Sequence, residues 1–425
     1  MDFSLQLVSG WQRALLVIPA LLLLLLGAIA GFLWFFADAI AANAQQPDLA
    51  ADAVFLSPAD PLAHSQLATF KIRSFVSTDL PEALRQFELA AALSPNDYRY
   101  WYALARMRER SGDSEGAERA ARRALELAPN YAQVLWLSGN ILLRRGQQAE
   151  ALEQMRCAAE LDQQFAIHFV DAAAQTIPKD DFNALQRTIG SSVSVRSALV
   201  IYLMQNKQFE AAMNVWRELP EKEQREVGID LAKTLLAAKR YRLALPFYEL
   251  TADSNAEKPA LGQFLNGGFE NDLAAANANP FAWQIAAGAQ PQIAPFASTK
   301  HGGERSLIVY FNSASPTDFR GVSQTVVVES GAEYHFEAFL KTEKWQSGAP
   351  VYWEIIDAGD KRSAAKTSVV PTGDNDWQKL SVDFKTSETT EAVTFQLTKA
   401  ACLSSSCLTT GKIWFDDFTL QKISK

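Results

Sequence analysis

The sequence predicts a multidomain chain made of an N-terminal transmembrane helix, an all-α repeat solenoid and a C-terminal all-β sandwich. Three observations predict it. No charged residue occurs from Ala14 to Ala37, similar residues recur 34 positions apart in the first third, and beyond Gly262 the apolar spacing turns from helical to alternating. The expected boundaries are a tip and span over 1–37, a linker over 38–62, three repeats over 63–165, degenerate repeats over 166–252, a linker over 253–262 and the sandwich over 263–425.

A chain of 425 residues has room for two or three cored domains. Its formal net charge of −8, with no cluster of Lys and Arg, argues against a phosphate-backbone partner. Three cysteines and four scattered histidines exclude a disulfide-built scaffold, a Cys-rich zinc module and a His-rich metal site.

As a helix, the run from Ala14 to Ala37 extends roughly 36 Å, enough for a bilayer core of about 30 Å. A signal peptide cleaved near Ala42-Asn43-Ala44 and a buried soluble helix are the alternatives, although the run is longer than a usual signal core. Arg13 precedes the span, whereas Asp38, Asp48, Asp52 and Asp60 follow it with no Lys or Arg before Lys71. That asymmetry places the N-terminus in the cytoplasm and the rest outside, as in a single-pass bacterial inner-membrane protein with its C-terminal domains in the periplasm. In an oxidising compartment Cys402 and Cys407, separated by LSSS, could close a disulfide; two free thiols are the alternative. Cys157 falls among helical residues and reads as a small buried apolar group.

FELAAALSPN (87–96) aligns with AARRALELAPN (120–130), so that Pro95 and Pro129 lie 34 residues apart. Ala83, Ala117 and Ala151 keep that spacing, as do Ala90, Ala124 and Ala158; Trp101 and Leu135 open successive units, and Gly139 holds a small-residue position. Small residues at a helix crossing let backbones approach, and a proline ends the second helix. The pattern resembles the tetratricopeptide repeat, with units at about 63–97, 98–131 and 132–165. It decays but continues through QFEAAMNVWRELP and RYRLALPFYEL, with Ala211 and Ala244 near the expected spacing. The resemblance implies binding of a protein partner in a concave groove and no catalysis. Arg106, Arg110, Arg144 and Arg145 could make that groove cationic, or form a solvated face balanced by Glu109, Glu115, Glu118 and Glu150. The lead-in LSPADPLAHSQLATF resembles that of envelope proteins which carry such repeats in polysaccharide assembly systems.

After ADSNAEKPALG the pattern alternates: in EYHFEAFLK, Tyr334, Phe336, Ala338 and Leu340 share one face and His335, Glu337, Phe339 and Lys341 the other. SLIVYF, VSQTVVVE, PVYWEII, WQKLSVDF, EAVTFQL and GKIWFDDFTL behave alike, which gives an antiparallel sandwich. The Asn-Gly-Gly turn in FLNGGFE is expected to open its first strand. In order, LNGGFE, Trp283, GERSLIV, VSQTVVVESGAEYHFEAFLKTE, DWQKLSVDF and IWFDDFTL resemble carbohydrate-binding modules of the galactose-binding-like jelly-roll superfamily. In that superfamily an opening acidic residue and an aspartate of the last strand lie beside a structural calcium, and the matching positions here are Glu270 and Asp416 or Asp417. Parity with Phe418 and Leu420 would turn Asp416 toward the core; backbone hydrogen bonds or a salt bridge without metal are the alternative.

A sugar site needs an aromatic platform flanked by amides or carboxylates. Parity puts Phe339, Tyr352, Glu337, Glu354, Thr394 and Gln396 outward on strands expected to be neighbours, with Trp345 in a loop as a second platform. A covering loop, the solenoid, or packing of Trp345 would remove these platforms. No nucleophile motif, dinucleotide fingerprint, GxSxG elbow or HExxH accompanies the carboxylates. The expected function is a non-enzymatic envelope adaptor that binds polysaccharide through the sandwich and a protein through the repeats, in exopolysaccharide or O-antigen synthesis, export or attachment. A pure protein scaffold is the alternative, and a glycoside hydrolase acting through paired carboxylates a distant third.

Overall fold

The computed structural model describes residues 10–43, 46–73, 79–251, 257–273, 279–311, 319–402 and 407–423. The tip 1–9, Ala44 of the candidate cleavage site, linker residues 252–256 and the LSSS segment at 403–406 lie outside the described residues. The chain divides into two compact units, Met1–Tyr202 and Leu203–Lys425.

The first unit is helical. Its helix α1 (Gly10–Asn43) contains one stretch, Val17–Asn43, long and apolar enough to cross a membrane, with a mean hydropathy of 2.5. Leu21 to Leu26 are all exposed. The last turns of α1 differ: Ala37 and Ala41 are fully buried, and Ala41 packs with Ala53 of α2 (Pro47–Leu56) and Ala63 of α3 (Pro61–Arg73). Residues 38–62, read as a linker, are therefore largely helical, because their alanines let three helices approach closely.

Helical hairpins follow: α3 with α4 (Asp79–Leu93), α5 (Tyr98–Arg110) with α6 (Ser114–Leu127), and α7 (Ala132–Arg144) with α8 (Gln148–Leu161). Asp97 caps α5 through the Arg99 amide at 3.0 Å and Asp113 caps α6 through the Gly116 amide at 2.9 Å. Ala83, Ala117 and Ala151, like Ala90, Ala124 and Ala158, are all 0% exposed, so the 34-residue period marks the helix crossings. At Gly139 an added Cβ would lie 2.6 Å from Met155 Cγ and 3.0 Å from the Ala151 carbonyl oxygen, which shows how closely α7 and α8 approach. Of the four arginines, Arg144 pairs with Glu109 and Arg145 with Glu118, whereas Arg106 and Arg110 are exposed. Cys157 is only half-buried, and burial pushes its thiol up. Short helices α9 (Ala166–Thr176), α10 (Phe182–Ile189) and α11 (Val193–Gln205) continue the chain.

The second unit opens with α12 (Phe209–Arg217), α13 (Glu221–Ala237) and α14 (Tyr241–Thr251). In α12 the fully buried alanine is Ala212, one position beyond the expected Ala211, because α12 starts at Phe209 and its fourth residue meets the helix crossing, as Ala244 does in α14.

The sandwich comprises two five-stranded antiparallel sheets. In the first sheet the spatial order is β1 (Gln284–Ile285), β4 (Val322–Val327), β9 (Ala392–Lys399), β6 (Val351–Asp357), β7 (Ser363–Lys366). In the second it is β2 (Gln292–Phe296), β3 (Ser306–Phe311), β10 (Thr409–Lys422), β5 (Glu333–Ser347), β8 (Gly373–Lys385). Tyr334, Phe336, Val351, Trp353, Val393, Phe395 and Leu397 form the core, as their alternation predicts. FLNGGFE opens no strand. It is a turn, with Asn266 and Phe269 at φ of 55° and 56°, that inserts Phe264 and Phe269 into the core beside Trp283 and Phe418. Gly267 is required there, since a Cβ would lie 2.6 Å from the Phe418 carbonyl oxygen. Among the described residues of the sandwich the first strand begins at Gln284.

Helix α14 is fastened to one end of the sandwich. Arg240 Nε donates to Glu391 Oε1 at 2.8 Å, the Arg242 amide to Glu391 Oε2 at 3.1 Å, and the Tyr241 hydroxyl to the Ala358 carbonyl at 3.2 Å. These contacts fall on the turns between strands and leave the sheet faces alone.

Candidate functional site

Side chains of directly opposed residues in antiparallel strands share a face. Across the first sheet the register opposes Gln284 to Ser323, Ser323 to Gln396, Gln396 to Glu354 and Glu354 to Lys366. The neighbours of Ser323, Gln396 and Glu354 along their strands are buried, so these residues point away from the core. The result is a polar row across all five strands, about 19 Å long at ~4.8 Å per strand. Thr325 and Thr394 lie beside it, their hydroxyls 2.9 Å apart, and Tyr352, opposite Thr398, is the aromatic group next to it.

The row is tied together. Gln396 Nε2 donates to Glu354 Oε2 at 3.4 Å, and Lys366 Nζ lies 3.4 Å from Glu354 Oε1, 3.3 Å from the Tyr352 hydroxyl and 5.1 Å from that ring's centroid. The Glu354 side chain is 15% exposed, so its charge is shielded without being cut off from solvent. Chemically the face offers an aromatic ring, an amide, a carboxylate, an ammonium and several hydroxyls at strand spacing. Sugar hydroxyls bind such groups in pairs.

Tyr352, Glu354, Thr394 and Gln396 are thus brought together as expected, but Phe339, Glu337 and Trp345 are not. Phe339 and Glu337 stand on β5 in the second sheet, so the two outward sets occupy opposite faces of the sandwich; β5 and β6 are consecutive in sequence but not paired. Phe339 stacks on His301, 3.7 Å between centroids, and the Lys379 hydrogen bond of 2.8 Å holds Glu337 below its usual range. Trp345 is no platform, being 1% exposed and packed on Phe311: β5 runs on through it to Ser347, and a register shift between Thr342 and Trp345, with Lys344 at φ 45°, turns it inward against the alternation of the strand. Lys366 and Ser323 were missed. Ser323 follows from the alternation in VSQTVVV, whereas SAAK has no strand signature at all.

The expected calcium residues converge on residues 301–305, through amides. Asp416 Oδ2 accepts from the His301 amide at 2.9 Å and the Gly302 amide at 3.2 Å, and Glu270 from the Glu304 amide at 2.9 Å. Asp417 Oδ2 meets His301 Nδ1 at 2.7 Å. Calcium takes six to eight oxygens at 2.3–2.6 Å. Among the described residues no three His, Cys, Asp or Glu side chains gather where a metal ion could be held. The expected core-side position of Asp416 is also corrected. A bulge between Asp416 and Thr419, with Asp417 at φ 52°, breaks the parity, so Asp416 lies on the outer face beneath residues 301–302 while Phe418 enters the core. Burial pushes its carboxyl up, against the amides that pull it down. Cys402 and Cys407 are joined by a disulfide.

Residues 262–403 match the family described as "Carbohydrate binding domain". The C-terminal sandwich carries a carbohydrate-binding domain. Solved structures similar to the chain include one titled "CBM4 structure and function", at 16% identity over 38% of this chain and 99% of the other, with a TM-score of 0.30. A xylan-binding CBM22-1 domain of Xyn10C from Paenibacillus barcinonensis is 13% identical over 40% of this chain and 99% of its own, with a TM-score of 0.28. TmCBM61, solved with β-1,4-galactotriose, is 16% identical over 38% and 99%, with a TM-score of 0.27. No curated protein matches the chain. In this carbohydrate-binding domain the polar row of the first sheet is the candidate site.

Proposed function

We propose that the protein is a non-catalytic, membrane-anchored adaptor that binds a polysaccharide across the first sheet of its carbohydrate-binding domain and a protein partner along its helical repeats. The observation that carries the reading is the row Ser323, Gln396 and Glu354 beside Tyr352, within residues 262–403. Its five-strand length suits a chain of sugars, and its mixed polar groups suit hydroxyls. The 34-residue period and the buried alanine crossings support assignment of the hairpins to the tetratricopeptide type, whose grooves take peptides or partner helices. The apolar run from Ala14 to Ala37, with Arg13 before it and aspartates after it, supports an N-terminus in the cytoplasm and a periplasmic remainder; the Cys402–Cys407 disulfide suits that oxidising side. A non-catalytic role is supported by the separation of Glu337 and Glu354 onto opposite faces, where they cannot flank one glycosidic bond. Exopolysaccharide or O-antigen assembly is the setting this combination suits.

A second reading has its own support. Lys366 sits over the Tyr352 ring, the place a sugar would take, as in a sandwich that serves only as a scaffold. Calorimetry of the full-length chain in detergent with xylan, β-1,4-galactan and bacterial envelope polysaccharides separates the two. Saturable heat that Tyr352→Ala removes supports the adaptor, and no heat with any polysaccharide leaves the scaffold.

A further inference from the structure

The outer face of the first sheet does not end at its edge strand. Gln284 closes the polar row on β1 and also lines a cavity of about 700 Å³ bounded by α13, α14 and the segment entering β1. One end of the row and one wall of the cavity are thus the same residue, whose amide Nε2 donates to the Asn279 carbonyl at 2.9 Å and the Ala282 carbonyl at 3.2 Å.

The residues around the cavity say what it would take. Its floor is apolar, made by Gly228, Ala232 and Phe247; a Cβ at Gly228 would lie 2.8 Å from the Phe247 ring, so the glycine brings the two helices close. Tyr248 stands on the wall, edge-on to Phe281 with centroids 5.3 Å apart. The charged lining residues are Arg225 and Lys233, and no Asp or Glu belongs to the described lining. Both cations are paired along their own helix, Arg225 with Glu221 at 2.8 Å and Lys233 with Asp230 at 3.3 Å. Exposed pairs of this kind are weak and exchange readily for a ligand carboxylate.

We infer that this cavity is a terminal subsite of the saccharide site, built by the helices α13 and α14 and selective for a sugar bearing a carboxylate. It rests on the reading of the first sheet given above. A chain lying along Lys366, Glu354, Gln396 and Ser323 reaches Gln284 and places its last residue between Tyr248 and the two cations. The helical hairpin then contributes specificity that the sandwich alone lacks.

The test uses the full-length chain in detergent with galacturonate and xylose oligomers of graded length. Arg225→Ala with Lys233→Ala should weaken the longest galacturonate oligomers about tenfold and leave shorter ones and all xylose oligomers within about twofold. Ile229→Trp, an exposed wall position, should give the same selective loss by filling the cavity. If Tyr352→Ala abolishes binding but neither helical variant alters it, the subsite is overturned and the sheet reading stands. If acidic and neutral oligomers lose affinity equally, the acidic selectivity is overturned. If no oligomer binds, both readings fall.

Discussion

Gln396 and Glu354 oppose each other across the β9–β6 ladder, with Nε2 3.4 Å from Oε2, at the centre of a row that no single strand could supply. A ligand lying on this face meets both at once. Tyr352→Ala should therefore weaken saccharide binding by about 5- to 30-fold, from the loss of about 1–2 kcal/mol of contact. Glu354→Gln, which keeps the shape and loses the charge-assisted bond, should cost about tenfold. Calorimetry reads both, and an unchanged melting temperature in each variant shows that the site and not the fold was altered.

Lys366 competes with a sugar for the Tyr352 ring. An exposed cation–π contact is worth about 0.5–1 kcal/mol, and binding must displace it. Lys366→Ala should tighten binding of a neutral oligosaccharide by about 2- to 5-fold. A large loss of affinity instead would show that the ammonium contacts the ligand.

Asp416 inverts the usual carboxylate behaviour. Its carboxyl is pushed up by burial, so the folded state binds the proton more tightly than the unfolded chain. Stability from this group is present below the ordinary value of about 4 and is lost as pH rises through the folded value. The melting temperature of the wild type relative to Asp416→Asn should fall over that interval. Calcium or a chelator should leave it unchanged, since the carboxylates are held by amides; a rise of several degrees with calcium would overturn this.

The α7–α8 crossing leaves no room at Gly139. Alanine gains about 1 kcal/mol of helix propensity but must displace Met155 Cγ at 2.6 Å and press on the Ala151 carbonyl. Gly139→Ala should lower stability by about 1–3 kcal/mol, read as a lower denaturant midpoint with an unchanged slope.

At the other end of the chain Glu391, 13% exposed, holds both Arg240 and the Arg242 amide. Glu391→Ala removes the acceptor of the Arg242 amide and one of the two carboxylates on the Arg240 guanidinium, leaving Glu210, and should cost about 1–2 kcal/mol. Thermal unfolding of the full-length chain checks it, and additivity with Arg240→Ala would show that the two do not act as a pair.

The local period of apolar and small residues was readable from the chain because it is a local property. The alanines at 34-residue spacing, the apolar run of α1 and the alternation in EYHFEAFLK each follow from how residues repeat along one element. The pairing of strands was not readable in this way. Phe339 and Tyr352 have the same outward parity, yet β5 and β6 lie in different sheets, and no local pattern distinguishes consecutive strands that pair from those that cross over. Parity also fails at two register shifts, one in β10 that sent Asp416 outward and one in β5 that turned Trp345 inward.

The sequence by itself determined the kinds of element, their order and which face of each is apolar, because hydrophobic burial acts on the period of each segment. Only the tertiary structure decided which outward faces meet, that helices α12 to α14 belong to the compact unit of the sandwich, and that Gln284 serves both the sheet and the cavity. Those outcomes depend on contacts between residues far apart in the chain, and the energy of such contacts is set by packing that no single segment encodes.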